Sequence, residues 1–252
     1  MTTTLVESAR EALGPVGAFL PVQTTGAPPA DQQRQAVQRL EQAGYRAAWA
    51  NEAGGKDALV QLAVLLAATE HMAFGTGIAN IWSRSPQTLQ GAAAFLAQAY
   101  PGRFVLGLGV GYPEQAASVG REFGRPLTTM RAYVEEMAVP GMMPYPDVVY
   151  PRVIAANGPK MLSLAAELAD GALPAAPSLD FTVQARELLG PDKLLVVFVT
   201  SVMGEGATEV ATTVREYLGA GADHVTVGMS VGSDFAAGID HLERIAPELI
   251  ER

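Results

Sequence analysis

Three stretches of this chain bring together residues able to do chemistry. RFVLGLGVGYP, residues 103–113, runs from a strand-like segment into Gly107, Gly109 and Gly111 at alternate positions. Glycines at the end of a strand let a backbone turn tightly or let a ligand come close. AANGPKM, residues 155–161, ends a strand in Asn157-Gly158, starts a helix at Pro159 and puts Lys160 in its first turn. Free amides at a helix N-terminus with a lysine beside them suit a phosphate, although an ordinary strand-to-helix turn reads the same way. GTGIANIWSRSP, residues 75–86, ends a strand in Gly77-Ile78-Ala79-Asn80, with Trp82 and Arg84 close behind. Asn80 offers hydrogen bonds to a ligand amide, Trp82 reads as packing, and Arg84 reads as a surface cation.

The glycines do not spell a dinucleotide fingerprint. That motif is G-x-G-x-x-G opening a helix directly, with an acid about 20 residues further on. Here Tyr112 stands where the third glycine belongs, and Pro113 follows it. In a narrow barrel, Gly107 and Gly109 leave room for bulkier inward neighbours. Gly111 lies past the strand, where a bare N–H can face a ligand.

The elements that must position these stretches alternate. Eight short apolar runs are each followed by a helical pattern: Val16 to Leu20, Tyr45 to Ala50, Met72 to Ile78, Phe104 to Gly109, Val153 to Ala156, Gly171 to Leu173, Leu194 to Thr200 and His224 to Met229. Asp31, Asp57 and Ser85-Pro86 read as helix starts, and a short amphipathic helix precedes the first run. Strands joined by crossover helices pair in parallel. Eight units in 252 residues predict one (β/α)8 TIM-barrel domain over 1–252, with a doubly wound sheet as the rival.

In such barrels the active site sits at the C-terminal strand ends. Asn51-Glu52, residues 79–84, residues 110–114 and residues 157–160 lie there. The histidines do not: His71 precedes the third run, His224 opens the eighth, and His241 falls in the last helix on the outside. None is expected to be catalytic, and no metal cluster is expected at the top face.

Composition narrows the function classes. The chain is 49% hydrophobic and 17% charged, with a net charge of −9 and no cysteine. An acidic surface repels phosphate backbones, so nucleic acid is not an expected partner. No apolar run of about 18 residues predicts a membrane span, and MTTTLVESAREALG lacks the form of a secretory signal. A cytoplasmic protein acting on a small molecule is the expectation.

Taken together, GTGIANIWSRSPQTLQGAAAFLAQAYPGRFVLGLGVG, GRPLTTMRAYVEEM, RVIAANGPKMLSLAAELADGALP and AGADHVTVG resemble the luciferase-like flavin/deazaflavin oxidoreductases. The branch most similar uses the deazaflavin coenzyme F420. WANEAGGKDAL fits that branch's second strand, and the likeness covers most of residues 15 to 230. The resemblance implies a (β/α)8 barrel and hydride transfer between F420 and a small organic substrate. It implies a non-prolyl cis peptide at Gly77–Ile78 against the cofactor ring, with Ala79 and Asn80 along it. Gly111 lines the cofactor tail, and Asn157, Gly158, Pro159 and Lys160 hold its phosphate. A homodimer is also implied.

Two departures from that family stand out. A histidine that some members place just past strand two is missing, since Ala53 follows Glu52. Glu52, as acid or base or as a polar binder, and Tyr112, as a proton donor, are the remaining catalytic candidates. A helical insertion between the seventh and last strands is also missing, so this barrel is shortened there. An FMN-dependent monooxygenase, a non-catalytic barrel that binds a ligand or partner, and an unrelated phosphate-binding barrel enzyme are the competing readings.

Overall fold

A computed structural model describes residues 3–53 and 55–250. Its strands are β1 (Val16–Phe19), β2 (Ala47–Ala50), β3 (Ala73–Thr76), β4 (Ala79–Asn80), β5 (Phe104–Gly109), β6 (Arg152–Ile154), β7 (Gly171–Ala172), β8 (Leu194–Ser201) and β9 (His224–Met229). All pair in parallel, and β1 pairs with both β2 and β9, so the sheet closes on itself. β3 and β4 are two pieces of one stave: β3 pairs with β2 and β5, and β4 continues along β5. The result is an eight-stave parallel barrel, and the doubly wound alternative is excluded by the β1–β9 closure.

Helices α1 (Leu5–Leu13), α2 (Ala30–Gln42), α3 (Ala58–Leu66), α4 (Pro86–Ala99), α5 (Pro113–Ser118), α6 (Pro126–Met137), α7 (Pro159–Leu168), α8 (Leu179–Leu189), α9 (Ala207–Gly219) and α10 (Phe235–Leu249) follow. Ser85 caps α4 on the amide of Thr88, with Pro86 in the first turn as its sequence indicates. α2 begins two residues earlier than expected. Pro29 is its N-cap, and Asp31 lies in the first turn, where its charge favours the amide end. The short α5 between β5 and α6 has no signal beyond Pro113.

Two apolar layers share the strands. The outer layer packs one strand face, including Ala48, Phe74, Leu106 and Leu108, against the ring of helices. The inner layer holds Phe19, Trp49, Val105, Val153, Leu194 and Val196, floored by Val6, Ala9 and Leu13 of α1. The inner rings need space that only glycine leaves. A Cβ on Gly75 would sit 2.2 Å from the Trp49 ring, and one on Gly228 would sit 2.7 Å from Phe198 and 2.8 Å from Phe19. α1 is fastened beneath by Arg10, whose guanidinium donates to Asp223 and to the Lys193 carbonyl.

Candidate active site

The predicted cofactor residues occupy an arc of three neighbouring strand ends. The β3–β4 stave breaks at Gly77–Ile78, whose peptide bond is cis as the resemblance implies. The bend is held from both sides: Gly77 N–H donates to the Ala50 carbonyl at 2.8 Å, and Glu52 N–H donates to the Ile78 carbonyl at 3.0 Å. Ile78 leaves the bend half-buried and lies over β5. That explains the glycines of β5. A Cβ on Gly107 would be 2.0 Å from the Thr76 carbonyl oxygen, and one on Gly109 would be 2.5 Å from Ile78 Cγ1. They make room for the neighbouring broken stave.

Gly111 follows at the rim with φ +56. A Cβ there would be 1.9 Å from Gln115 Oε1 and 2.7 Å from Asn80 Nδ2, so its requirement for glycine is already met by protein neighbours. Asn80 is buried, its Oδ1 accepting from Trp82 N–H at 3.0 Å. Ala79 is also buried, but its side chain belongs to the outer apolar layer.

At the next strand end, Asn157, Pro159 and Lys160 are exposed and Gly158 is half-buried. Asn157 Oδ1 accepts from Ala175 N–H at 2.9 Å, which ties this turn to the following loop. α7 starts at Gly158 with no side-chain cap, and a Cβ on Gly158 would meet nothing within 4 Å. An uncapped, open helix N-terminus beside a free lysine fits a phosphate group.

Glu52, the catalytic candidate past β2, lies in a network of a guanidinium and two backbone amides. Its side chain is fully buried, and both oxygens are occupied. Arg84 grips them bidentately at 2.6 and 3.0 Å, Ala58 N–H donates to Oε1 at 3.0 Å, and Asn80 N–H donates to Oε2 at 2.8 Å. Arg84 is therefore no surface cation: it is 10% exposed and also pairs with Asp57 at 2.5 Å. These carboxylates hold the guanidinium protonated, raising its pKa further against the cost of burial. The Glu52–Arg84 pair ties β2, the β4 start and the α3 N-terminus into one frame around the bend. Tyr112 stands at the rim with 71% of its surface exposed.

Lys56 was not singled out by its sequence. It is half-buried in the loop after β2, with Nζ donating to Asn51 Oδ1 at 2.9 Å. Burial pushes its pKa down to about 8, partly offset by attraction to Glu52. The loop carrying it divides two cavities. One, of about 540 Å³, is lined by Asn80, Trp82, Arg84 and Gln115. The other, of about 500 Å³, opens between the β1 and β2 loops and reaches Phe235. Lys56 lines both. The signal in its sequence is only a lysine at a strand end.

The histidines stay out of the mouth. His71 is exposed, and His224 is buried under the barrel, accepting from Trp49 Nε1 at 3.0 Å. His241 faces inward from α10, contrary to its expected outside position, because Ser201 at the end of β8 offers it a hydrogen bond at 2.9 Å. This pair is polarised the wrong way for a nucleophile. Arg244 donates to His241 Nδ1, so Nε2–H donates to Ser201, whose hydroxyl donates to Glu205 at 2.9 Å. Among the described residues no group of three or more His, Cys, Asp or Glu is placed to hold a metal, and no helix is long and apolar enough to cross a membrane.

Comparison with known proteins agrees with this architecture. A protein assigned as a coenzyme F420-dependent oxidoreductase of Mycobacterium tuberculosis is 29% identical over 181 residues, 59% of this chain and 52% of the relative. The 5,10-methylenetetrahydromethanopterin reductase of Methanolobus tindarius is 28% identical over 167 residues, 59% of this chain and 51% of the relative. This chain thus spans about half the length of the curated relatives it matches. Among solved structures, an F420-dependent secondary alcohol dehydrogenase in complex with an F420–acetone adduct superposes with TM-score 0.75 at 16% identity, covering 94% of this chain and 99% of the other. Monooxygenase RslO1 from Streptomyces bottropensis superposes with TM-score 0.77 at 14% identity, covering 94% and 98%. At these identities the superpositions speak for the fold alone. The match that reaches further runs over residues 15–219, and by it this chain belongs to the luciferase-like monooxygenase family.

Proposed function

We propose that this protein is an oxidoreductase that moves hydride between coenzyme F420 and a small organic substrate. The observation that carries this reading is the arc of neighbouring strand ends, from the bend at Gly77–Ile78 through Gly111 to the open α7 N-terminus. The curated relatives named for F420 chemistry support the choice of cofactor. Bound F420 supplies a two-electron hydride carrier that reacts poorly with oxygen.

The chain's own residues do the rest. Ile78 presents an apolar shoulder above Gly109, and Asn80 keeps its amide nitrogen at the rim beside Gly111. Lys160, through its side chain and its own backbone amide, holds phosphate, and Gly158 leaves that turn open. Glu52 and Arg84 fix the bend rather than exchange protons. Tyr112 is the exposed proton donor at the rim, and this assignment is tested by Tyr112→Phe, which should lower turnover while leaving F420 affinity unchanged.

Titration of the purified protein with F420, followed by fluorescence, tests the whole reading. Saturable binding, weakened by Lys160→Ala, supports it; no binding at tens of micromolar overturns it. FMN is the competing cofactor: a type II Baeyer–Villiger monooxygenase of Pseudomonas putida, solved in complex with FMN, shares this fold at TM-score 0.72 and 14% identity over 93% of this chain and 97% of the other. A protein that purifies yellow and prefers FMN to F420 would establish that reading instead. The expected homodimer is tested by light scattering, where a monomer overturns it.

A further inference from the structure

The inner apolar layer carries two aromatic rings near the barrel mouth. Phe19 ends β1 and Phe198 stands on β8, and their rings meet edge to face with centroids 4.8 Å apart at 64°. Two glycines yield the space they occupy. A Cβ on Gly228 would collide with both rings, and one on Gly77 would lie 2.6 Å from Phe19 Cε2. Phe19 is thus seated directly against the first residue of the bend, and Ile78 is that residue's neighbour across the cis bond.

Among the described strand residues of the inner apolar layer, Phe198 alone keeps part of its surface open. Leu194 and Val196 lie below it on the same face of β8 and are fully buried. The open part of the ring therefore faces the mouth. Thr200, exposed, continues that face at the rim and adds a neutral hydroxyl.

The charged side chains nearest the bend are already engaged. Arg84 holds Glu52 and Asp57, and Lys56 donates to Asn51. The pair itself is packed against glycine and hydrocarbon. A charged molecule resting on it would give up hydration without a counter-ion. A neutral apolar one gains by taking ring surface out of water and by packing on an aromatic edge or face. The net charge of −9 adds a general repulsion of anions.

We propose that Phe198 determines substrate specificity: with Phe19 it forms a floor that accepts an uncharged organic molecule by its apolar ring and turns the reacting end toward the bend. This rests on the cofactor reading, which puts the hydride carrier against that bend.

Fluorine NMR on the full chain labelled with 4-fluorophenylalanine tests it at the residue concerned. The chain has eight phenylalanines, and the signal lost in Phe198→Tyr or in Phe198→Leu is that of Phe198. Acetophenone, benzoate and benzylammonium present one ring with no charge, a negative charge and a positive charge. Acetophenone, at up to about 10 mM, should shift the Phe198 signal saturably, and the two ions should not. F420 is titrated into the same sample, where its own fluorescence reports its binding.

A size test separates a contact with substrate from mere packing. By equilibrium dialysis, Phe198→Ala should weaken acetophenone about fivefold and bind the longer 4-acetylbiphenyl more tightly than the parent does, with F420 affinity unchanged. Loss of affinity for both compounds would mark Phe198 as a packing residue and overturn the proposal. So would a Phe198 signal that benzoate or benzylammonium shifts as far as acetophenone does. F420 binding with no acetophenone shift at Phe198 overturns this inference alone. Failure of F420 to bind overturns the cofactor reading and this inference with it.

Discussion

Glu52 is a carboxylate at a strand end, the place and type expected of a catalytic group, and the fold uses it as a clamp. What decides between these roles is Arg84, 32 residues away, together with two backbone amides that fill the remaining lone pairs. Removing one member of a buried pair leaves the other charge stranded. Glu52→Gln should therefore cost about 3 kcal/mol in urea unfolding. Asp57→Ala, at a side chain that is 46% exposed, should cost only about 1 kcal/mol, mostly through loss of the α3 cap on Val60 N–H. Equal costs for the two would argue against Glu52 as the keystone of the bend. The glycines permit a similar contrast. Gly109→Ala drives a methyl against Ile78 and should weaken F420 binding by displacing that side chain. Gly158→Ala enters open space at an extended φ of −164 and should leave stability within about 0.5 kcal/mol.

At the scale of elements, the barrel was legible because each stave and its helix carry local signals. Ser85-Pro86 marks the start of α4, and the β-branched run from Leu194 marks the longest strand, β8. β7, reduced to Gly171 and Ala172, has almost no signal of its own and is placed by its neighbours β6 and β8. The turn at 157–160 was legible for the same local reason. Arg84, Lys56 and the inward turn of His241 were not, since each depends on a partner distant in sequence or on burial.

His224 shows how such burial reads out. It sits between the Gly14 carbonyl and the Trp49 indole, and burial lowers its pKa to about 4. The unfolded chain binds this proton near pH 6.5, while the folded barrel resists it until about pH 4. The stability that the neutral ring contributes is therefore complete above pH 6.5 and is lost as pH falls toward 4. A thermal-melt series across that window should decline in the parent protein and flatten in His224→Gln. A parallel decline in both would place the acid sensitivity elsewhere.

For the whole molecule, the question is whether two apolar layers behave as one. Both draw residues from β1, β2, β3, β5, β6 and β8, and the inner layer is floored by α1, whose Val6, Ala9 and Leu13 are buried against it. A tryptophan reports on each layer: Trp49 lies inside the barrel, and Trp82 lies in the outer layer near Phe123, where its Nε1 donates to the Val110 carbonyl at 2.7 Å. Since a strand cannot lose one face and keep the other ordered, fluorescence from either tryptophan and circular dichroism should give coincident urea midpoints. A chain beginning at Gly14 removes the floor and should lose about 4 kcal/mol, from the exposed apolar side chains together with the Arg10 contacts to Asp223 and Lys193. Its two tryptophan midpoints should fall together. If Trp49 melts early while Trp82 holds, the inner layer is a separate unit and α1 stabilises that unit alone. A common fall means that the floor supports the outer helices through the strands, and with them the strand ends at the opposite face where the candidate site is built.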